Sequence, residues 1–212
     1  MERRVWIGGG AFAICALLFG GIVLALPDAG PLTIDREAAE AVQSLAGQQG
    51  EKLWKAVTNL GSSVVIVAAA LLYGIWFGIH RRTWAALYIP AAGVVAYVCN
   101  QLLKSWVDRP RPAGAWGIEV DGSSFPSGNA MLAMAVYGTI TASFVLYALA
   151  GRTAKWIAST IGIIGIACVG FSRLFFGVHY LSDIAAGYAA GALVMLIALH
   201  MVNYTLNRKH SV

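Results

Sequence analysis

Long apolar stretches alternate with shorter polar connections along the chain. A helix needs roughly 20 apolar residues to cross the hydrocarbon core of a bilayer, which is about 30 Å thick. Stretches of this length predict six transmembrane helices, at about Val5 to Leu26, Gly61 to Ile79, Trp84 to Leu103, Ala130 to Ala150, Trp156 to Phe176 and Ile184 to Val202. The predicted fold is therefore all-α, a polytopic membrane helix bundle that forms a single domain over residues 1–212.

The first apolar stretch follows Arg3 and Arg4, an arrangement that is also found in secretory signal peptides. Its apolar length of about 22 residues exceeds the 7–15 residues usual in such peptides. We therefore expect it to be retained as a membrane span.

The first long connection, from about Pro27 to Leu60, contains a helical pattern of its own. Its apolar residues recur at three- and four-residue intervals, at Ile34, Ala38, Ala41, Val42 and Leu45. This period is typical of a helix with one apolar face, so we predict a short interfacial helical region. It could guide a lipid headgroup, but a simple cover over the bundle is the favoured interpretation.

The composition supports a membrane protein. Hydrophobic residues make up 58% and charged residues 12% of the chain, and its mean hydropathy is +0.70. A soluble domain has about 45–50% apolar and 25% charged residues, so a soluble globule is excluded. The net charge of +5 is spread thinly between apolar stretches and forms no phosphate-tracking stripe, so we expect membrane lipids as partners and no nucleic acid.

The basic residues of the connections predict the orientation of the chain, because Lys and Arg near span ends remain on the cytoplasmic side. One side has a single acid, Glu2, and eight basic residues: Arg3, Arg4, Arg81, Arg82, Arg152, Lys155, Arg208 and Lys209. The other side has seven basic residues and nine acids. We therefore expect both termini in the cytoplasm and the long connections outside, in a cytoplasmic cell membrane.

Chemically active residues are concentrated in three short stretches, which this topology places at the outer face. They are Lys104–Pro112, Phe125–Asn129 and Ser172–Asp183. Ionisable residues beside a membrane are costly and therefore indicate function.

These stretches contain the parts of a phosphoryl-transfer site. On a helix, His179 and Asp183 would share a face, so that the carboxylate could orient the imidazole as a base or nucleophile. Alone, such a pair is more often an ion pair at a helix end than a catalytic pair. Three cations at the same face, Lys104, Arg111 and Arg173, favour an anionic ligand, and Ser127-Gly128 could open a helix whose N–H groups bind phosphate. No set of metal ligands accompanies them.

The three stretches resemble the signature of the type 2 phosphatidic acid phosphatase superfamily of lipid phosphate phosphatases. That signature reads Lys-x6-Arg-Pro, Pro-Ser-Gly-His and Ser-Arg-x5-His-x3-Asp. Here it corresponds to Lys104–Pro112, Pro126–Asn129 and Ser172–Asp183. The resemblance implies a hydrolase without a cofactor, in which His179 becomes phosphorylated and Asp183 orients it. It also implies that the phosphate is bound by Lys104, Arg111, Ser127, Gly128 and Arg173.

Asn129 is the one departure from this signature, because the family has a histidine there that serves as general acid. Asn can donate a hydrogen bond but cannot transfer a proton. Protonation of an alkoxide leaving group typically raises the reaction rate 10²–10⁴-fold, and a departing phosphate needs protonation much less. Asn129 therefore favours a diphosphate substrate, or else marks a weakened or inactivated enzyme.

The leading hypothesis is a metal-independent lipid phosphatase for an isoprenoid diphosphate such as undecaprenyl diphosphate. The alternatives are a phosphatase for phosphatidylglycerophosphate, phosphatidic acid or a lipid A phosphate, and an inactive homologue that binds or transports a lipid phosphate. Six spans disfavour the vanadate-binding haloperoxidase branch. The sequence leaves the lipid tail, its entry gate and the oligomeric state open.

Overall fold

The structure, a computed structural model, describes residues 2–27, 30–45, 50–113 and 120–208, and only the backbone of residues 2–7 and 45. Within these ranges the regular secondary structure is all helical and has no strands, which confirms the all-α prediction. The helices are α1 Glu2–Ala25, α2 Thr33–Leu45, α3 Glu51–Leu60, α4 Ser63–Arg81, α5 Tyr88–Val107, α6 Gly128–Tyr147, α7 Arg152–Phe175 and α8 Leu181–Arg208. A 3₁₀ turn at Trp84–Leu87 leads into α5.

Six of the described helices are long and apolar enough to cross a membrane, and they match the six predicted spans. The largest difference is at the last one, since α8 continues to Arg208 rather than ending near Val202. Buried Thr205 and Leu206 explain the extension, because they keep the final turns packed on the bundle. The spans run in alternating directions, so the connections that carry the three polar stretches meet at one end.

The predicted interfacial helix exists as α2, but its buried face was predicted incorrectly in part. Val42 is buried against Phe175, Phe176 and Val178, as the pattern indicated. Ile34, however, is 56% exposed, and its neighbour Asp35 is buried instead. The reason is that Asp35 has charged and polar partners inside the bundle, which outweigh the burial of one more apolar side chain. The side chain of Leu45 lies outside the described residues.

Helix α3 was not predicted. Its apolar period is short, and its aromatic side chain Trp54 packs against α7. The Trp54 ring lies 4.6 Å from that of Phe171 and 5.8 Å from that of Phe175, centroid to centroid. The first connection therefore contributes two helices that lie beside the ends of the spans.

The close approach of α6 and α8 forms the centre of the bundle. A Cβ atom at Gly187 would lie 2.6 Å from the carbonyl oxygen of Ser127, and one at Gly191 would collide with the carbonyl oxygen of Met131. Two glycines four residues apart let the backbones touch, as small residues do at helix interfaces in membranes. The contact also fixes the start of α6 against the first turns of α8.

The Gly191→Ala substitution is expected to lower the midpoint of thermal unfolding in detergent by several degrees. The added methyl group has to displace backbone, which costs about 1–3 kcal/mol and exceeds the roughly 1 kcal/mol that Ala gains over Gly in helix propensity. Gly165→Ala on α7 is the matched control, because no atom lies within 4 Å of its Cβ position. Equal midpoints for the two variants would contradict a glycine-dependent helix contact.

Candidate active site

The three predicted phosphate-binding cations converge at the end of the bundle where α5 and α7 terminate. Lys104 donates through Nζ to the carbonyl oxygen of Ser123 at 2.8 Å. Arg111 donates from Nη1 to the carbonyl oxygen of Val178 at 2.8 Å. Both cations therefore cross from the first motif to neighbouring connections, and their side chains are held by the main chain.

Arg173, the third cation, is placed by helix α3. Its Nη1 donates to Oγ1 of Thr58 at 2.7 Å, and its buried Nε has no hydrogen-bond partner among the described residues. An unpaired buried donor is rare because it loses its hydration. Arg173 therefore retains a donor that an anion could satisfy.

The Pro-Ser-Gly stretch is held at the start of α6. Ser127 donates its backbone N–H to the carbonyl oxygen of Asp183 at 3.0 Å, and its fully buried hydroxyl has no partner among the described residues. A Cβ on Gly128 would lie 2.9 Å from Oδ1 of Asn100, so a larger residue at this position would displace that amide. Asn100, which the motif reading missed, donates to the carbonyl oxygen of Pro126 at 3.2 Å. A polar residue inside an apolar span indicates function, so Asn100 could have been identified from the sequence.

The tautomer of His179 follows from its two neighbours. Its Nδ1 lies 2.8 Å from the carbonyl oxygen of Ser124, which can only accept, and its Nε2 lies 3.3 Å from Nη1 of Arg111, which can only donate. The proton is therefore on Nδ1, and the lone pair of Nε2 faces the arginine. An imidazole nitrogen that carries its lone pair in this way can act as a nucleophile.

Burial keeps this imidazole neutral. His179 is 3% exposed, and desolvation lowers its pKa from 6.5 to about 4. The positive charges of Arg111 and Arg173 lower it further, whereas Asp183 opposes the shift. At neutral pH the ring therefore needs to lose no proton before it attacks.

The contact between His179 and Asp183 differs from the predicted one. His179 precedes α8, which begins at Leu181, so the two residues do not share a helix face. Oδ2 of Asp183 lies 3.7 Å from Nδ1, beyond hydrogen-bond distance, and accepts instead from the backbone N–H of Tyr180 at 2.9 Å. The carbonyl of Ser124 holds the ring because it lies closer, while Asp183 acts on it through charge.

Asn129 lies in the first turn of α6 and faces the junction of α3 and α4. Its Nδ2 donates to the carbonyl oxygen of Gly61 at 2.7 Å. The amide thus joins α6 to the α3–α4 junction. It donates a hydrogen bond but cannot act as an acid.

Arg109 and Asp35 are charged residues at this site that the sequence analysis missed. The guanidinium of Arg109 donates from Nη1 to Oδ1 of Asp183 at 2.6 Å and from Nη2 to Oδ2 of Asp35 at 2.9 Å. Arg109 stands inside the first motif, two residues before Arg111, and was passed over as an intervening position. The signal for Asp35 was an acid in the first turn of a helix with an otherwise apolar face.

The described residues contain no group of three or more His, Cys, Asp or Glu side chains that could hold a metal ion. The site combines a neutral nucleophilic nitrogen with three cations and unpaired donors. This set suits transfer of a phosphoryl group, whose charge is spread over three oxygens.

The ¹⁵N spectrum of histidine-labelled protein in nanodiscs is expected to show His179 protonated at Nδ1 only, from pH 8 down to about pH 5. Because burial lowers its pKa, the ring stays neutral as the pH falls through 6.5 and gains its second proton only near pH 4. A His179→Gln variant identifies the signal. A second proton on this ring at pH 6, or a proton on Nε2 at pH 7, would contradict the assignment.

Comparison with known proteins identifies the family. Residues 83–206 match the PAP2 superfamily. Phosphatidylglycerophosphatase B of Bacillus subtilis (strain 168) is 30% identical over 142 residues, which cover 66% of this chain and 70% of the relative.

Two crystal structures share the fold. One is the first transmembrane PAP2 type phosphatidylglycerolphosphate phosphatase from Bacillus subtilis, with a TM-score of 0.78, 23% identity, and 93% of this chain and 96% of that chain covered. The other is LpxE of Aquifex aeolicus, with a TM-score of 0.62, 21% identity, and 80% and 96% covered. The resemblance found in the sequence is thereby confirmed, and the chain belongs to the PAP2 superfamily as a multi-pass membrane lipid phosphatase.

Proposed function

We propose that the protein hydrolyses the terminal phosphate of a lipid through a phosphohistidine intermediate on His179. The observation that carries this proposal is the position of Nε2, deprotonated and beside Arg111, on a ring whose pKa is about 4. A helix-end ion pair would need a charged imidazole, whereas this one is neutral.

In the first step the lone pair of Nε2 forms a bond to the terminal phosphorus, and the bond from that phosphorus to the leaving oxygen breaks. A diphosphate then leaves as the lipid monophosphate, and a monoester as an alkoxide that takes up a proton. Lys104, Arg111 and Arg173 compensate the charge on the three equatorial oxygens, and the hydroxyl of Ser127 is a further donor. The phosphorylated ring keeps its proton on Nδ1 and carries positive charge, which the nearby carboxylate of Asp183 stabilises. In the second step water attacks phosphorus, the N–P bond breaks, and inorganic phosphate leaves. No metal ion or cofactor takes part in the proposed reaction.

Asn129 supports an isoprenoid diphosphate, such as undecaprenyl diphosphate, as the substrate. Its amide is engaged with the Gly61 carbonyl and supplies no proton to a leaving group. A leaving phosphate spreads its own charge and needs none, whereas the alkoxide of a monoester does. In this reaction the leaving phosphate departs without a proton from Asn129.

Phosphatidylglycerophosphate is the second candidate substrate. It is favoured by the name of the Bacillus subtilis relative that is 30% identical. In this case the leaving alkoxide would take its proton from water.

The charge asymmetry supports an outward-facing site. The end of the bundle opposite the site carries Arg81, Arg82, Arg152 and Lys155, which favour the cytoplasmic side. We therefore place the reaction at the outer face of a cytoplasmic membrane, where the lipid phosphate reaches the site from the bilayer.

His179→Ala is expected to abolish phosphate release, because no other described group occupies the position of Nε2. During turnover of the wild-type protein, acid-labile phosphate should be trapped on His179. The matched control is His200→Ala, which removes an exposed histidine from α8 and should leave the rate unchanged. More than a few per cent of residual activity in purified His179→Ala protein would refute the nucleophile.

Asn129→His is expected to raise kcat/KM for phosphatidylglycerophosphate by about tenfold more than for a prenyl diphosphate, which corresponds to roughly 1.4 kcal/mol of selective transition-state stabilisation. The ratio between the two substrates cancels changes in active fraction. Asn129→Gln serves as control, since it enlarges the side chain without adding an acid. Equal gains on both substrates would mean that Asn129 impairs the enzyme generally, and the diphosphate assignment would be wrong.

A further inference from the structure

We propose that Asp35 on helix α2 is a positioning residue for the reaction and acts through Arg109 on Asp183. The proposal rests on the proposed function, in which Asp183 stabilises the phosphorylated ring of His179. It assigns a part in catalysis to a helix that lies outside the six spans.

Asp35 is tightly held and almost completely buried. Its Oδ1 accepts from the backbone N–H of Ser182 at 2.8 Å. Its Oδ2 accepts from Oγ of Ser182 at 2.9 Å, from the N–H of Leu32 at 3.0 Å and from Nη2 of Arg109 at 2.9 Å. The side chain therefore connects α2 with the first turn of α8, next to Asp183.

Arg109 divides its two Nη atoms between two carboxylates. Nη1 bonds Asp183 at 2.6 Å and Oγ of Ser182 at 2.8 Å, whereas Nη2 bonds Asp35 and the carbonyl oxygen of Gly30 at 3.2 Å. The guanidinium also lies over the ring of Tyr180, 4.2 Å from its centroid. Each carboxylate thus receives one N–H from the fork, and Asp183 is left with an oxygen that faces His179.

The division matters because a guanidinium pairs most strongly with one carboxylate through two parallel hydrogen bonds. Without Asp35, Arg109 could turn both Nη atoms toward Asp183. The second bond would compete for Oδ2, the oxygen 3.7 Å from Nδ1 of His179. Asp35 prevents this by holding the second half of the fork.

The charge of the cluster points the same way. Asp35, Arg109 and Asp183 are all buried, with side-chain exposures of 4% or less, and together carry one net negative charge. That excess charge can stabilise the positive charge that the ring gains on phosphorylation. Buried ion pairs contribute little to stability, because desolvation offsets their attraction, so we assign this cluster to holding the negative charge of Asp183 beside the nucleophile.

The test measures the rate of phosphohistidine formation in single turnovers, with the full-length protein in excess over a radiolabelled prenyl diphosphate. At protein concentrations that saturate the reaction, this rate constant does not depend on how many molecules are folded. Asp35→Asn is expected to lower it by about 10- to 100-fold, as loss of a partner that orients a ligating histidine does. Inhibition by inorganic phosphate should be unchanged, because none of the described contacts of Asp35 involves Lys104, Arg111 or Arg173.

Three further variants complete the design. Glu40→Gln removes an exposed carboxylate from the same helix and should keep the wild-type rate. Asp35→Glu retains the charge and should restore most of the rate. Arg109→Lys is expected to be slow, since one ammonium group lacks the fork that spans two carboxylates; it provides the test if Asp35→Asn does not fold.

The proposal is overturned if Asp35→Asn or Arg109→Lys forms phosphohistidine at the wild-type rate. It is also overturned if Asp35→Asn reaches the wild-type rate constant and only requires a higher protein concentration to do so, because that result indicates a loss of folded molecules alone. If the wild-type protein forms no phosphohistidine, the proposed function fails. The two failures are therefore distinguishable.

Discussion

The close contact between α6 and α8 is the constraint on which the site depends. Gly187 allows the backbone of α8 to lie against the carbonyl of Ser127, and the N–H of Ser127 donates to the carbonyl of Asp183. Two motifs that are more than fifty residues apart in the sequence are thereby joined through their backbones. These backbone contacts fix the positions from which the side chains of the two motifs project.

The electrostatics of the site are uneven around His179. In the proposed reaction, Arg111 and Arg173 supply positive charge for the phosphoryl group on one side of the ring, and Asp183 supplies negative charge for the phosphorylated ring on the other. Because the ring between them is neutral, it does not repel the arginines that would bind a phosphate. Burial lowers the pKa of His179 to about 4, so the ring stays neutral at neutral pH. The proposed reaction needs this neutral form, because only it has a lone pair on Nε2.

The polar residues of the first connection give it a larger part than a cover over the bundle. Thr58 of α3 holds Arg173, and the α3–α4 junction accepts the amide of Asn129. Asp35 of α2 reaches Arg109. Membership of the PAP2 superfamily accounts for the motifs, and these contacts connect the first connection to them.

The sequence by itself determined the six spans and the all-α fold, because hydrophobic length is a local property, and its motif spacing predicted eight site residues. The structure decided what depends on contacts between distant segments. Asp35 is buried and Ile34 exposed because the carboxylate is paired with Arg109, which is 74 residues away in the sequence. His179 is oriented by the carbonyl of Ser124 rather than by Asp183, because it precedes α8 and meets the end of another motif. Neither arrangement could be predicted from periodicity, which places a residue on a face of its own helix but does not identify what that face meets.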